Sequence, residues 1–488
     1  MNDLAEKALR GALTVSRFVV RRPVAPLGLL GLAAAALTVV AGGRIGASAD
    51  ALPLTRWLDL LAPAGYRLTD AGPAALMVGG IVGLLLLWSV ALQLARHDRI
   101  SERQTWTLAA LWGLPFVVGP PLLSTDVYSS VAHGLLARAG FDPYRHPPSA
   151  LLHHPQIVAA IDPGLRSTAS TGGPLSTLTE HLAVAVAGGR PLPAVLVLRA
   201  LAVVCAVIIG VLAAELAGPR RAAAVALTTL NPAVLLYVVS GAHLDGLLVA
   251  LLLGSLVTAG QRRWALAVLL ACLAAGVKPV GIVAVPALIA AHAIGQRRRI
   301  SWRIAGRDTL IAAATLAASS LVVTDGLGWV RNVNASTREH TLFAPASLVS
   351  DLIAPVVSGA SYDDLAIGGR IAALLAAVTA VSYLLLTVLE RPLERTLGYA
   401  LLWIGLLSPV LYPWYLLWGL LCLAPATRGA QREWLIGLSA AAAVLAPVGF
   451  TQRTGQVVTA VLLAVIACVL LSRHLIRRRY RELVSAVG

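Results

Sequence analysis

The chain is 488 residues long, 58% hydrophobic and 13% charged, about half the charged share of a soluble domain; a soluble globular protein is excluded and a polytopic membrane protein is expected. The net charge of +16 does not point to nucleic acid, because the basic residues stand in short clusters between apolar runs, the pattern that orients a membrane protein.

In chain order, Arg17, Arg21 and Arg22 precede the first apolar run. The Ala/Gly-rich run after them has no short apolar core and cleavage site, so it reads as a retained first helix behind a cytoplasmic tail, 1–23, and not as a signal peptide. A bilayer span needs about 20 apolar residues. Candidate spans are 25–42, 72–95 and 106–123, then 192–217, 222–240 and 243–260. They continue through 264–277, 279–295 and 309–326 to 368–389, 397–411, 415–426, 433–448 and 456–472. The runs 264–295 and 397–426 read equally as broken helices, which predicts about 11–14 transmembrane helices. The fold class is therefore an all-α polytopic membrane protein with one multi-span domain, 24–472, and a basic cytoplasmic tail, 473–488.

With Arg21-Arg22 inside, one alternation puts every basic cluster in the cytoplasm. The polar material then gathers on the other face: the main loop 124–190, the turn Ser240 to Asp245, the second loop 327–366, Pro413-Trp414-Tyr415, and the loop 43–71. Cys205, Cys272, Cys422 and Cys468 each fall in a predicted span without a CxxC pair, so neither a disulfide nor a metal site is expected.

The main loop opens on Ser124-Thr125-Asp126, directly after an apolar run. A short amphipathic helix follows, with Val127, Val131, Leu135, Leu136 and Ala139 on its apolar side, ending at Gly140 and the turn Asp142-Pro143-Tyr144. An acid at that depth suits catalysis on a lipid-linked substrate; equally, Thr125 or Asp126 serves as an ordinary helix cap. His146, His153 and His154 fit no standard zinc spacing. Thr171-Gly172-Gly173-Pro174 either brings backbone close to a ligand or reverses the chain. Asn231-Pro232 interrupts a span and predicts a kink. His243 and Asp245 then reach the level of Asp126, as a ligand site or as a bare interfacial turn.

Only two of the 39 basic residues are lysines, Lys7 and Lys278, and Lys278 stands inside an apolar run. Placing a lysine there costs roughly 2.5–3.5 kcal/mol on insertion scales. Phosphate binding accounts for it; so does a short hairpin between two spans. Arg199 makes the same argument unless it snorkels. Arg331 and Arg338 offer further phosphate contacts or a solvated face, and Trp414 and Tyr415 offer sugar stacking or an aromatic belt.

Taken together, Ser124-Thr125-Asp126-Val127-Tyr128-Ser129, Gly140-Phe141-Asp142-Pro143-Tyr144, Asn231-Pro232, Gly241-Ala242-His243, Gly326-Leu327-Gly328-Trp329 and Pro413-Trp414-Tyr415 resemble the actinobacterial polyprenyl-phosphomannose-dependent α-1,6-mannopyranosyltransferases, membrane glycosyltransferases of the GT-C class. The chain departs from that pattern at Gly172 and at His243-Leu244-Asp245. The resemblance implies a polyprenyl-monophosphomannose donor used at the outer face of the plasma membrane. The implied acceptor is a growing, phosphatidylinositol-anchored α-1,6-mannan, the core of lipomannan and lipoarabinomannan. It implies Asp126 as general base, with Lys278, Arg331 and Arg338 at the donor phosphate. Tyr128, Asp142, Tyr144, His243, Asp245, Trp414 and Tyr415 are the implied substrate-binding residues. No cofactor is expected, and a monophosphate met by cationic side chains calls for no metal. The rival class is a transporter or flippase of a lipid-linked sugar, which would place its polar site at mid-membrane between repeats. Within the enzyme class, another linkage or an arabinosyl donor stays open.

Overall fold

The computed structural model describes residues 24–43, 71–295, 299–336, 344–345 and 362–444, and among these the regular structure is all helical. Helix α1 (Val24–Gly42) packs on α2 (Ala71–Arg96) and α3 (Glu102–Val118). The last of these starts earlier than the hydropathy implied, because Ser101 and Gln104 form a reciprocal capping box. It stops at Gly119, where Pro120 and Pro121 follow and bring no backbone N–H.

The loop 124–190 is itself helical. It carries α4 (Asp126–Arg138), the short α5 (Pro155–Ala160) and α6 (Pro163–Arg166), and α7 (Pro174–Val186). Helices α4 and α7 pack closely against each other. At their crossing, a Cβ on Gly134 would lie 2.4 Å from the Glu180 carbonyl oxygen, so only glycine allows this approach.

Two further helices, α8 (Pro191–Ala217) and α9 (Arg221–Leu227), lead to the expected kink. There the Asn231 side chain accepts from the Ala233 amide and donates to the Leu227 carbonyl. The predicted span 222–240 is thus not one helix but α9 followed by a π-helical run, Val234–Ser240. The next helix, α10 (Asp245–Gly260), leaves that run at 108°. Helix α11 (Trp264–Val277) breaks at Lys278 and resumes as a 3₁₀ turn and α12 (Ala284–Ile294). After α13 (Trp302–Leu321), α14 (Trp329–Ser336) and α15 (Tyr362–Leu386), the run 397–426 is likewise divided, into α16 (Leu393–Leu406) and α17 (Pro413–Leu423). Helix α18 (Ala430–Val444) closes the described chain.

Among the described residues, four helical stretches are by themselves long and apolar enough to cross a bilayer: Val24–Gly42, Ala75–Arg96, Pro191–Leu227 and Tyr362–Leu386. The other apolar runs are shorter or broken. Non-helical backbone at membrane depth is tolerated where protein or a cavity satisfies its polar groups, and the breaks at 241–244, Lys278 and 407–412 come together at the site described next. Leu310, Leu374 and Leu386 stay exposed, as lipid-facing side chains do. The expected tails, most of the loop 43–71, the span 456–472 and Arg338 lie outside the described residues.

Candidate active site

Asp126 is the first residue of α4. Thr125 occupies the cap position, but its side chain makes no capping bond; its hydroxyl accepts from the Asp162 amide instead. Ser124 caps the Asp126 amide at 3.1 Å. The Asp126 carboxylate is therefore not consumed in capping. It lies at a helix N-terminus, where the backbone favours negative charge, and its Oδ2 stands 3.4 Å from Nδ1 of His243. Burial pushes its pKa up. The hydrogen bond and charge of His243, the charge of Lys278 and the Ser124 hydroxyl push it down and prevail, so the carboxyl sits below its usual range. The side chain keeps 38% of its surface exposed, whereas the ring of His243 keeps 2%.

Two non-glycine residues in the left-handed region stand shortly before these groups, Leu123 (φ 61°) three positions ahead of Asp126 and Ala242 (φ 51°) next to His243. Such strain persists only where the surroundings enforce it. Arg199 does so. The residue is 2% exposed and does not snorkel. It donates to the carbonyls of Gly119 and Val117 at the end of α3 and, at 2.7 Å, to the carbonyl of Ser240 at the end of the π-helical run. One cation thus ties together the two chain ends that present Asp126 and His243.

Lys278 stands at the break between α11 and the 3₁₀ turn. Its ammonium is 2.8 Å from both carboxylate oxygens of Asp245, which is 1% exposed and also accepts from the Trp418 indole. The ammonium lies 5.3 Å from the ring centre of Tyr415 and 5.5 Å from that of Trp418, within cation–π range. The turn Gly172-Gly173 fixes its backbone: the Gly173 amide and the Ser176 hydroxyl both donate to the Val277 carbonyl. A Cβ on Gly173 would lie 2.2 Å from the Gly276 carbonyl. The close approach that this turn makes is to the backbone just before Lys278, an arrangement that neither reading of the turn anticipated.

Aromatic rings join the two halves. His243 stacks on Trp414 with ring centres 4.1 Å apart, Trp414 stacks on Tyr412 at 4.7 Å, and Tyr415 stacks on Trp418 at 4.3 Å. Asp126, His243, Asp245, Lys278, Trp414 and Tyr415 therefore form one connected cluster. The remaining candidates sit elsewhere. Tyr128 is buried under α4, its hydroxyl pushed up to about 12 by burial despite the charge of Arg199. Tyr144 is buried and accepts from the Thr177 hydroxyl at 3.0 Å. Asp142 accepts from the Tyr144 amide and pairs with Arg145, building the turn. Arg331 pairs with Asp325, which Arg145 also reaches. His146 turns back on the Asp142 carbonyl, and among the described residues no three His, Cys, Asp or Glu side chains converge as metal ligands would.

A buried acid outside this cluster lies beyond Asp126. Glu180 is 5% exposed, and its Oε2 is 3.8 Å from Nδ1 of His133. Burial raises the Glu180 carboxyl to about 8, against a Ser130 hydrogen bond that lowers it, and burial depresses the His133 ring to about 4. Both are neutral near pH 7. Because the folded pKa of Glu180 exceeds its ordinary 4.5, the stability of the protonated form is complete below that value and is lost as pH rises through about 8. The melting temperature of the detergent-solubilised protein should fall between about pH 4.5 and 8 and level off above that, and Glu180→Gln should flatten that fall.

Comparison with known proteins decides the family. Residues 28–294 match the profile described as α-(1→6)-mannopyranosyltransferase, N-terminal domain, and residues 352–473 match the MptB C-terminal domain. The chain belongs to this α-(1→6)-mannopyranosyltransferase family. A probable α-(1→6)-mannopyranosyltransferase of Mycolicibacterium smegmatis is 28% identical over 82% of this chain and 79% of its own. The α-(1→6)-mannopyranosyltransferase A of Mycobacterium tuberculosis is 27% identical over 72% of this chain and 71% of its own. The α-(1→6)-mannopyranosyltransferase B of Corynebacterium glutamicum is 25% identical over 84% and 73%. No solved structure matches.

Within the mannopyranosyltransferase family frame, Asp126, His243, Asp245 and Lys278 fall in the N-terminal domain, and Trp414 and Tyr415 in the C-terminal one. The cluster thus lies where the family's two domains meet. Sequence reasoning missed Trp418, which holds Asp245. Its signal was available in Trp414-Tyr415-Leu416-Leu417-Trp418, since i, i+3 and i+4 share a helix face. It also missed His133, whose partner Glu180 lies 47 positions away and leaves no local pattern.

Proposed function

We propose that this protein is an inverting mannosyltransferase. It moves mannose from polyprenyl-monophosphomannose to a growing α-1,6-mannan, the core of lipomannan and lipoarabinomannan, at the outer face of the plasma membrane. The observation that carries the reading is the cluster itself: a carboxylate held ionised and a cation, presented together by breaks in apolar helices. The positive-inside alternation supports the outer face.

In the proposed reaction the acceptor 6-hydroxyl oxygen attacks C1 of the β-linked mannosyl phosphate from the opposite face. The bond from C1 to the phosphate oxygen breaks, the α-linkage forms, and the proton of the hydroxyl passes to Asp126. A general base must lie within hydrogen-bond reach of that proton and be unprotonated; the depressed Asp126 carboxyl meets the second condition across the neutral range. His243 orients the carboxylate. Lys278, held by Asp245 and Trp418, offsets the charge that develops on the departing polyprenyl phosphate. Trp414 and Tyr415 meet edge to face, ring centres 6.3 Å apart, and link the His243 side of the cluster to the Lys278 side.

The experiment is direct. Purified protein, labelled polyprenyl-phosphomannose and short α-mannosides are incubated without a membrane gradient, and the product linkage is determined by NMR. A new α-1,6 bond is the expected result. Absence of any glycosidic product would refute transfer and restore a transporter reading; a β-linked product would refute inversion.

A further inference from the structure

We propose that a neutral polar track along α4 and α7, running from Asp126 to a cavity beside Asp142 and Asp325, binds the inner sugars of an oligosaccharide acceptor. This rests on the glycosyl-transfer reading above and adds to it a determinant of acceptor length.

The track begins with helix periodicity. Asp126, Ser129, Ser130 and His133 occupy positions i, i+3, i+4 and i+7 of α4, which share one face. None of the four is fully buried as a residue. Glu180 of α7 faces its far end. Three atoms along it, Ser129 Oγ, His133 Nε2 and Glu180 Oε2, are buried without a hydrogen-bond partner. Buried polar groups are ordinarily paired, so three orphans in a row call for polar groups brought by a ligand.

The stripe continues on α7. Thr177 and His181, on either side of Glu180, line a cavity of about 780 Å³ together with Leu178, Tyr144, Asp142 and Asp325. That volume falls in the range of small-molecule sites. Ala137 and Gly140, at the opposite end of α4 from Asp126, line it as well. The 13 residues of α4 rise about 20 Å at 1.5 Å each, a span that takes several sugar rings.

Charge selects the occupant. Glu180 and His133 are both neutral near pH 7. At the rim, Arg145 and Arg331 are paired with Asp142 and Asp325. A row of uncharged donors and acceptors suits the hydroxyls of a neutral sugar chain. A phosphate or anionic headgroup would find no free cation among these residues.

The test uses the full-length protein in detergent, labelled polyprenyl-phosphomannose, and α-1,6-mannosides of one to four units. For the wild type, KM should fall steadily with acceptor length. His181→Ala, at the half-exposed cavity edge, and Glu180→Leu, which keeps bulk and removes both polar atoms, should each reduce that length advantage about tenfold, the worth of one lost hydrogen bond. Saturation-transfer NMR of mannotetraose without donor should show the inner rings in contact in the wild type and weakened contact in both variants. Wild-type transfer with no length dependence, or an unchanged length dependence in both variants, would overturn the track and leave transfer standing. Failure of the wild type to transfer to any mannoside would overturn both.

Discussion

Asp126→Asn is expected to lower mannose transfer by about 10²–10⁴-fold, the usual worth of a general base, while the protein still inserts and folds. The substitution keeps the volume of the side chain and a residue that tolerates a helix start. It leaves the Ser124 hydroxyl on the same backbone amide and removes only the ability to accept a proton. A purely structural Asp126 would give the opposite pattern, with transfer intact and the melting temperature lowered. The pH profile separates the roles again. Because the wild-type carboxyl sits below its usual range, transfer should stay on its plateau as pH falls to about 5. Removing the hydrogen bond and charge of His243 by His243→Ala should move the acid limb upward. The readouts are initial transfer rates against pH and the thermal melt of each variant.

Lys278→Ala has a larger and different expected effect. It leaves the Asp245 carboxylate, 1% exposed, without its cation, and breaking a buried ion pair in this way costs about 3–5 kcal/mol. Both the melting temperature and the transfer rate should drop. The double variant Lys278→Met with Asp245→Asn removes the uncompensated charge. It should recover most of the melting temperature and none of the transfer, because nothing then opposes the charge of the departing phosphate. Recovery of transfer in the double variant would make Lys278 a structural partner of Asp245 only. In the proposed mechanism Lys278 has two duties, which the single substitution confuses and the pair resolves.

Much of this was legible in the chain. Low charge and long apolar runs gave the all-α membrane class, and Asn231-Pro232 announced the kink that became a π-helical run. The acid at the end of an apolar run, the turn at His243 and the lysine in an apolar stretch were each marked locally, and the structure brings all three together. Their pairing was not legible. Asp245 and Lys278 are 33 positions apart, so the sequence could rank each as unusual without showing that one neutralises the other. Arg199 was read as a cation for a ligand or for the interface, whereas its partners are three backbone carbonyls, which carry no sequence signature. Tyr144 and Tyr128 carried family resemblance but are buried in packing, because a motif records both the groups that react and the groups that hold them.

The central claim is a carboxylate open to the outer side of the membrane beside a lipid-borne sugar phosphate. Asp126→Cys places a thiol at that position; Cys205, Cys272 and Cys422 are buried, and Cys468 is replaced by serine. Intact cells are treated with a membrane-impermeant maleimide, with and without polyprenyl-phosphomannose. The account expects labelling from outside and protection by the donor; labelling only after the membrane is opened would contradict it.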